Sequence, residues 1–95
     1  MKRQGVKEKM KIAGKQVASA REMIGITQGE LALAAGVGKE TVVRFESGAS
    51  IYEANVNKIR AALEARGIEF SNGPGMGVRL NYAKAEEFAR QTRSG

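Results

Sequence analysis

The stretch that decides the fold lies between residues 27 and 48 and reads TQGELALAAGVGKETVVRFESG. Thr27 and Glu30 have the spacing of a capping box, in which the hydroxyl accepts from an amide of the first turn and the carboxylate reaches back to the cap. A helix is therefore predicted to begin here. Gly36 provides a joint after Ala35, and a second helix is predicted from about Gly38 to Ser47. Two short helices joined by a tight, glycine-containing turn form a helix-turn-helix.

Two further helices are predicted on either side of this pair. Apolar residues recur every three or four positions in segments 13–24 and 52–65, the period of one helix face. A glycine follows each segment, Gly25 and Gly67, and glycine commonly ends a helix. The apolar positions are Val17, Ala20, Ile24, Val56, Ile59 and Leu63.

The sequence changes character after residue 67. Apolar and charged residues alternate in Ile68-Glu69-Phe70 and again in Val78-Arg79-Leu80, and a glycine-rich segment with a proline separates them. This pattern predicts a β-hairpin over residues 68–80. Asn81 can cap a short helix through Arg90, so residues 81–95 are predicted to be a short helix or a tail. Residues 1–12 are basic with little periodicity, which indicates a flexible arm. The helix-turn-helix domain is assigned to 13–67.

Length and composition restrict the function. The 95 residues allow one domain and a tail. Sixteen Lys and Arg against ten acids give a net charge of +6, which favours an anionic partner. The chain has no His and no Cys, and all ten acids are Glu, so imidazole acid-base chemistry, thiolate nucleophiles and the usual zinc ligands are missing. We expect no enzyme activity and no cofactor. The absence of a signal-peptide core or a membrane-length apolar run favours the cytoplasm and no membrane partner.

One face of the predicted helix 38–47 is suited to reading DNA. At 100° per residue, Gly38, Thr41, Val42 and Phe45 share the side that packs inward. The other side mixes a cation, an anion, an apolar side chain and an arginine. Arg or Lys can donate to guanine, Glu can accept from cytosine, and Val can contact the thymine methyl group. The alternative is a solvated face carrying an i,i+4 ion pair worth about 0.2–0.5 kcal/mol. The outward residues are Lys39, Glu40, Val43, Arg44 and Ser47.

The residues of this region, taken together, are similar to the phage Cro and repressor helix-turn-helix family, also called the xenobiotic-response-element family. The resemblance spans roughly residues 16–63. Gly38 departs from it, because the family usually has Ser or Thr at that cap. The matching residues are Gln28, Glu30-Leu31-Ala32, Ala35-Gly36-Val37, Thr41-Val42, Phe45-Glu46 and Gly48.

The resemblance implies a mainly α, lambda-repressor-like bundle of four to five helices, here with a C-terminal hairpin. It implies that Lys39, Glu40 and Arg44 read bases and that Gln28 contacts the DNA backbone. Val43 lies on the same predicted face of the helix and is therefore added to the base-reading residues. It also implies a structural ion pair between Arg21 and Glu46. Further backbone contacts are assigned to Thr27, Gly38 and Ser47, at the helix ends near phosphates. Lys15 and the arm are candidates for sequence-independent phosphate contacts.

The hairpin leaves the oligomeric state open. Its glycine run is not a phosphate-binding loop, because it lies between two strands and lacks the Lys and Ser/Thr of such loops. A lone hairpin is marginal in water, so its apolar residues must be covered either by the chain's own helices or by a second copy joined at the strand edges. The second arrangement is favoured, because helix-turn-helix modules usually read paired half-sites about 34 Å apart. The candidate dimer residues are Ile68, Phe70, Val78 and Leu80.

The leading hypothesis is a bacterial or phage-type transcriptional regulator that binds a palindromic duplex operator as a homodimer. Repression is the mode that the resemblance favours. One alternative is an antitoxin or partner-binding module that uses the helix-turn-helix for autoregulation while the hairpin and last helix hold another protein. Another is a factor that binds RNA or bridges nucleic acids non-specifically through its basic surface.

Overall fold

The computed structural model describes residues 11–72 and 75–93. Within these residues the chain forms five helices and one two-stranded antiparallel sheet. The sequence-based prediction of a mainly helical fold with a hairpin before a final helix is confirmed. In chain order the elements are α1 (Gly14–Ile24), α2 (Gln28–Ala35), α3 (Lys39–Glu46), α4 (Glu53–Ala65), β1 (Ile68–Asn72), β2 (Met76–Leu80) and α5 (Tyr82–Arg93).

The helix α2 begins at the predicted capping box. The Glu30 amide donates to Thr27 Oγ1 at 3.0 Å, and the Thr27 amide donates to Glu30 Oε1 at 2.8 Å. At the next joint, Gly38 is the N-cap of α3 and offers no side-chain hydrogen bond. The departure from the family pattern at this position therefore leaves the first turn of α3 without a side-chain cap.

The core lies where the first four helices meet the hairpin. Its largest fully buried side chains come from five elements, so that no helix buries its apolar face alone. Each such side chain contributes roughly 1.5–3 kcal/mol when it leaves water. They are Leu31, Ile59, Leu63, Ile68, Val17 and Val42.

Helices α1 and α3 approach each other at a residue without a side chain. A Cβ atom added to Gly14 would lie 1.8 Å from the carbonyl oxygen of Phe45 and 2.9 Å from the Cα of Glu46. The first turn of α1 therefore rests directly on the backbone at the end of α3.

The hairpin covers the chain's own core. Ile68 pairs with Leu80 and Phe70 with Val78, so all four side chains are on the face towards the helices. Ile68 is 1% exposed and Phe70 is 8% exposed, whereas Val78 and Leu80 are half-buried. The expectation that all four contact a second copy is wrong for Ile68 and Phe70, because their side chains are already buried in the monomer. A dimer role for Val78 and Leu80 remains a prediction.

A buried amide fastens the hairpin to the start of α1. The Gln16 carboxamide nitrogen donates to the carbonyl oxygens of Ser71 and Gly77 at 3.3 and 3.0 Å, and to Asn72 Oδ1 at 3.2 Å. Its oxygen accepts from the Ala13 amide at 2.8 Å. Gln16 is nearly inaccessible to solvent, so these bonds satisfy a polar group whose burial would otherwise be costly.

The folded body begins earlier than the sequence predicts. Ile12, assigned to the basic arm, belongs to the buried core, and the Lys11 carbonyl accepts a hydrogen bond from the Asn72 side chain. Burying the apolar side chain of Ile12 is favourable enough to keep this residue in the core, although its neighbours in sequence are basic. The rest of the predicted arm lies outside the described residues.

Helix α5 is longer than the predicted segment and is attached at the end of α4. Asn81 caps it, because Asn81 Oδ1 accepts from the Lys84 amide at 3.0 Å. The Arg66 guanidinium lies 4.4 Å from the centre of the Phe88 ring, a cation–π contact. Gly67, at φ +100°, packs against Asn81 and Ala85 so closely that a Cβ atom would lie 2.9 Å from their backbone.

A polar cluster around Glu69 joins the hairpin to α5. Glu69 Oε1 accepts from Arg79 Nε at 2.7 Å, Oε2 accepts from Asn81 Nδ2 at 3.0 Å, and Lys84 Nζ is 3.6 Å away. The Asn81 hydrogen bond, followed by the bond from Arg79, lowers the pKa of Glu69 below its ordinary value of 4.5.

The lowered pKa of Glu69 predicts a pH-dependent contribution to stability. The ionised carboxylate stabilises the folded state above pH 4.5, and this contribution is lost as the pH falls through the lower folded-state pKa. We expect Glu69→Gln to be less stable than the native chain at pH 7 and to approach it as the pH falls below 4.5. Urea unfolding across this range measures the difference. Glu64→Gln, which removes a carboxylate with no ion pair among the described residues, is the control.

Candidate nucleic-acid interface

One side of α3 is exposed and the other is packed. Val42 is fully buried, and Thr41 and Phe45 are half-buried against the bundle. The predicted base-reading residues are all exposed on the opposite side, together with Ser47. The helix therefore offers a continuous outer face made of Lys39, Glu40, Val43 and Arg44.

The polar side chains of this face make no ion pair or side-chain hydrogen bond with residues 11–72 or 75–93. Glu40 and Arg44 have the i,i+4 spacing of an ion pair, but among the described residues neither makes a salt bridge. Lys39 likewise donates no side-chain hydrogen bond within the described ranges. The i,i+4 ion pair of the solvated-face alternative is therefore not formed, and the exposed side chains can reach a ligand.

Arg21 and Glu46 form a two-bond ion pair between α1 and the end of α3. Arg21 Nε and Nη2 donate to the two Glu46 oxygens at 2.9 and 3.1 Å, and Nη1 donates to the Ile26 carbonyl at 3.0 Å. The Glu46 side chain is 6% exposed and that of Arg21 is 19% exposed. The hydrogen bonds to Glu46 raise the pKa of Arg21 above its ordinary value, although partial burial acts in the opposite direction.

Gln28 belongs to this same network. Its side-chain nitrogen donates to Glu46 Oε1 at 3.0 Å, and the residue is half-buried. The sequence-based assignment placed Gln28 on the DNA backbone without this bond. An amide nitrogen has two hydrogens, so one donor remains for another acceptor. The ion pair thus orients Gln28 at the start of α2.

The other backbone-contact candidates lie at exposed helix ends. Thr27 caps α2, and Ser47 Oγ donates to the Arg44 carbonyl at 2.9 Å. Gly38 is exposed ahead of α3. The beginnings of α2 and α3 are close together, because a Cβ atom built on Gly29 would lie 3.9 Å from Lys39 Cδ.

A groove beside α3 contains residues that sequence reasoning missed. Its wall on the α3 side includes Glu40 and Arg44, and its other wall is the loop into α4 with the first turn of that helix. Tyr52 is 80% exposed there. An aromatic residue at the start of the predicted helix 52–65 was the available signal. The additional polar residues of the groove are Ser50, Tyr52 and Asn55.

Residues 11–72 and 75–93 form neither a cluster of metal ligands nor a helix suited to a membrane. Across 11–72 and 75–93, no three Asp, Glu, His or Cys side chains come together as metal ligands. In that part of the chain, none of the helices has the length and apolar character needed to cross a bilayer.

Comparison with known proteins agrees with this geometry. No curated protein matches the chain closely enough in sequence to be counted as a relative. The sequence pattern of one family, described as helix-turn-helix, matches residues 17–70, which is more than half of the chain. That range contains the ion-paired network, α2, α3 and α4. The chain therefore belongs to the Cro/C1-type (xenobiotic-response-element) helix-turn-helix family, whose domain binds DNA and whose members are typically not enzymes.

Proposed function

We propose that this protein is a sequence-specific transcriptional regulator, acting as a repressor, that binds a palindromic operator as a homodimer with α3 in the major groove. The observation that carries the proposal is the outer face of α3, which is exposed and makes no ion pair among the described residues, while its inner face packs against the bundle. A repressor of this kind blocks polymerase by occupying the operator. The setting is the cytoplasm of a bacterial cell, where duplex DNA is directly accessible.

Four side chains of α3 carry the base readout. Lys39 and Arg44 donate to guanine, Glu40 accepts from the cytosine amino group, and Val43 contacts a thymine methyl group. Because these groups have no partners within the described chain, they enter the groove without breaking an internal ion pair. The discrimination supplied by each good base contact is about 1–3 kcal/mol.

Helix ends position α3 on the phosphates. Thr27, Gln28 and Gly38 lie at the beginnings of α2 and α3, where backbone amides favour an anion. Ser47 lies at the C-terminal end of α3 and is assigned on its hydroxyl alone. Gly38 leaves the first-turn amides of α3 without a side-chain acceptor, which supports this role. Such contacts fix the register of the protein on DNA but do not select a sequence.

Arg44→Ala tests the readout face. We expect operator binding to weaken by about 1–3 kcal/mol, with relaxed preference at one base pair, because the variant loses its donors to guanine. Binding is measured with the selected duplex and with the same duplex changed at each position. Arg90→Ala on α5 removes an equal charge far from α3 and controls for the general electrostatic term. Equal affinities of Arg44→Ala and the native chain would contradict the assignment of this face.

Selection of bound sequences from random duplex DNA tests the proposed function as a whole. We expect one short site with two-fold symmetry, bound by two chains and preferred over unrelated duplex by orders of magnitude. The mass of the protein–DNA complex gives the stoichiometry. Equal competition by RNA or by any duplex would instead favour a non-specific nucleic-acid factor.

A further inference from the structure

Gln28 is held by a carboxylate that does not belong to the outer face of α3. The Gln28 side-chain nitrogen donates to Glu46 Oε1 at 3.0 Å. The Glu46 side chain is 6% exposed, which is too little for it to contact DNA directly. Glu46 can therefore touch DNA only through a neighbouring side chain, and Gln28 is the neighbour assigned to the DNA backbone.

The carboxylate determines which end of the Gln28 amide faces inward. An ionised carboxylate only accepts hydrogen bonds, whereas a carboxamide has a nitrogen that donates and an oxygen that accepts. The nitrogen of Gln28 must therefore face Glu46. Its second N–H forms no hydrogen bond among the described residues, so it remains for a ligand.

This orientation suits a phosphate. A phosphate oxygen accepts a hydrogen bond from the amide N–H but is repelled by the amide oxygen. A glutamine without a partner can turn its amide over and present either group. For Gln28, turning the amide over breaks the bond to Glu46, so the donor is already oriented before DNA binds. Such preorganisation reduces the cost of ordering the side chain on binding.

Arg21 holds both the carboxylate and the chain that leads into α2. Its Nε and Nη2 donate to the two Glu46 oxygens, and its Nη1 donates to the carbonyl of Ile26, just ahead of Gln28. The Ile26 amide in turn donates to the Arg21 carbonyl at 3.2 Å. The group that orients the Gln28 amide and the backbone that carries it are thus bound to the same residue, which limits their relative movement.

We propose that Glu46 is a positioning residue for DNA binding, which holds the Gln28 amide with one N–H directed to a phosphate while Arg21 keeps Glu46 in place. This inference rests on the proposed contact of Gln28 with the DNA backbone and specifies what maintains that contact. Because phosphate contacts do not select a sequence, the effect is on the affinity for any duplex. Arg21 and Glu46 then serve DNA affinity as well as stability.

The variant Glu46→Gln separates positioning from charge by the sign of its effect. Removal of a negative charge by itself favours binding to an anionic duplex. A carboxamide at this position can donate as well as accept, so it no longer dictates the direction of the Gln28 amide. We therefore expect Glu46→Gln to bind a duplex of arbitrary sequence about threefold more weakly than the native chain, as the weakening of one hydrogen bond allows.

Fluorescence anisotropy at low salt measures this affinity. Each protein is titrated at a temperature where circular dichroism shows it to be folded, so a loss of stability alone does not change the result. Glu64→Gln on α4 is the matched control, because it removes a carboxylate that has no ion pair among the described residues. The control should bind as tightly as the native chain or slightly more tightly.

A second background shows whether the effect passes through Gln28. We expect Gln28→Ala alone to weaken binding by about threefold to tenfold, because the donor to phosphate is lost. In the Gln28→Ala background, adding Glu46→Gln should not weaken binding further, since no amide remains to be oriented. The dissociation constants of the four proteins form a double-mutant cycle that isolates the coupling between the two residues.

The outcomes separate this inference from the proposed function. Weaker binding by Glu46→Gln only when Gln28 is present supports the positioning role. Tighter binding by Glu46→Gln in the native background, or equal weakening in both backgrounds, overturns that role, while weaker binding by Gln28→Ala would still support the proposed backbone contact. If Gln28→Ala bound DNA as the native chain does, the backbone contact itself would be refuted, and the positioning role with it.

Discussion

A Gly14→Ala variant is expected to be strongly destabilised and to unfold at a much lower temperature than the native chain. The added methyl carbon would lie 1.8 Å from the Phe45 carbonyl oxygen, and a backbone atom cannot rotate away as a side chain can. Helices α1 and α3 must therefore separate. Overpacking typically costs about 1–3 kcal/mol, and a clash with backbone this close belongs at the upper end of that range. A domain of this size has a total stability of roughly 5–15 kcal/mol, so the loss is a large share of it. Thermal unfolding followed by circular dichroism measures the change.

The same substitution in α2 provides the control. A Cβ atom on Gly29 would make only ordinary contacts, at 3.9 Å from Lys39 Cδ and from Thr27 Oγ1. Since alanine is a better helix former than glycine by about 0.8–1 kcal/mol in a helix interior, Gly29→Ala should be neutral or slightly stabilising. If Gly14→Ala melted at the same temperature as Gly29→Ala, the close approach of α1 and α3 would not exist in solution.

Arg21→Met is expected to destabilise the protein by about 3 kcal/mol. The variant leaves the Glu46 carboxylate, 6% exposed, with the Gln28 amide as its remaining side-chain donor. A buried charge that loses its partner bears a desolvation penalty that the remaining bond does not offset. Urea unfolding at pH 7 measures the loss. DNA sequence preference should change little, because neither charge belongs to the outer face of α3.

Two further variants test whether the loss of stability in Arg21→Met comes from the unpaired Glu46 carboxylate. Glu46→Gln leaves the Arg21 guanidinium without its anionic partner instead. Because Arg21 is more exposed and keeps its hydrogen bond to the Ile26 carbonyl, this variant should lose less stability than Arg21→Met. The double variant Arg21→Met/Glu46→Met should be more stable than Arg21→Met alone, because no unpaired charge remains. A double variant no more stable than Arg21→Met alone would show that the unpaired carboxylate is not the source of the loss.

Local sequence signals predicted much of the fold. The capping box at Thr27 located the start of α2, and the apolar period of α4 gave its buried face, because both signals depend on residues close together in the chain. The spacing of apolar residues in α3 also predicted which side of the helix packs against the bundle. Glu40 and Arg44 are exposed on the predicted side, although their roles in base readout remain predictions.

Features that depend on distant residues were not predictable in this way. No sequence feature near Gly14 predicts its contact with the backbone of Phe45. Likewise, none near Gln16 predicts its hydrogen bonds to the hairpin, 55 residues further along. The hairpin pattern indicated that the apolar side chains of Ile68 and Phe70 must be buried against another element. It did not predict that α1 and α4 are the elements that pack against the hairpin. Tyr52 was missed because its position beside Arg44 results from the turn between α3 and α4.

The attachment of the hairpin through Gln16 has a mechanical consequence. Gln16 ties the sheet to the first turn of α1, and Gly14 in that same turn rests on the end of α3. In the proposed homodimer, these two contacts would hold the reading helix of each subunit at one position relative to its own hairpin, the predicted dimerisation element. Each base pair inserted between the half-sites rotates one of them by roughly 35° around the DNA axis. Such a protein would keep more of its DNA affinity when a base of the operator is changed than when the spacing between the two half-sites is changed.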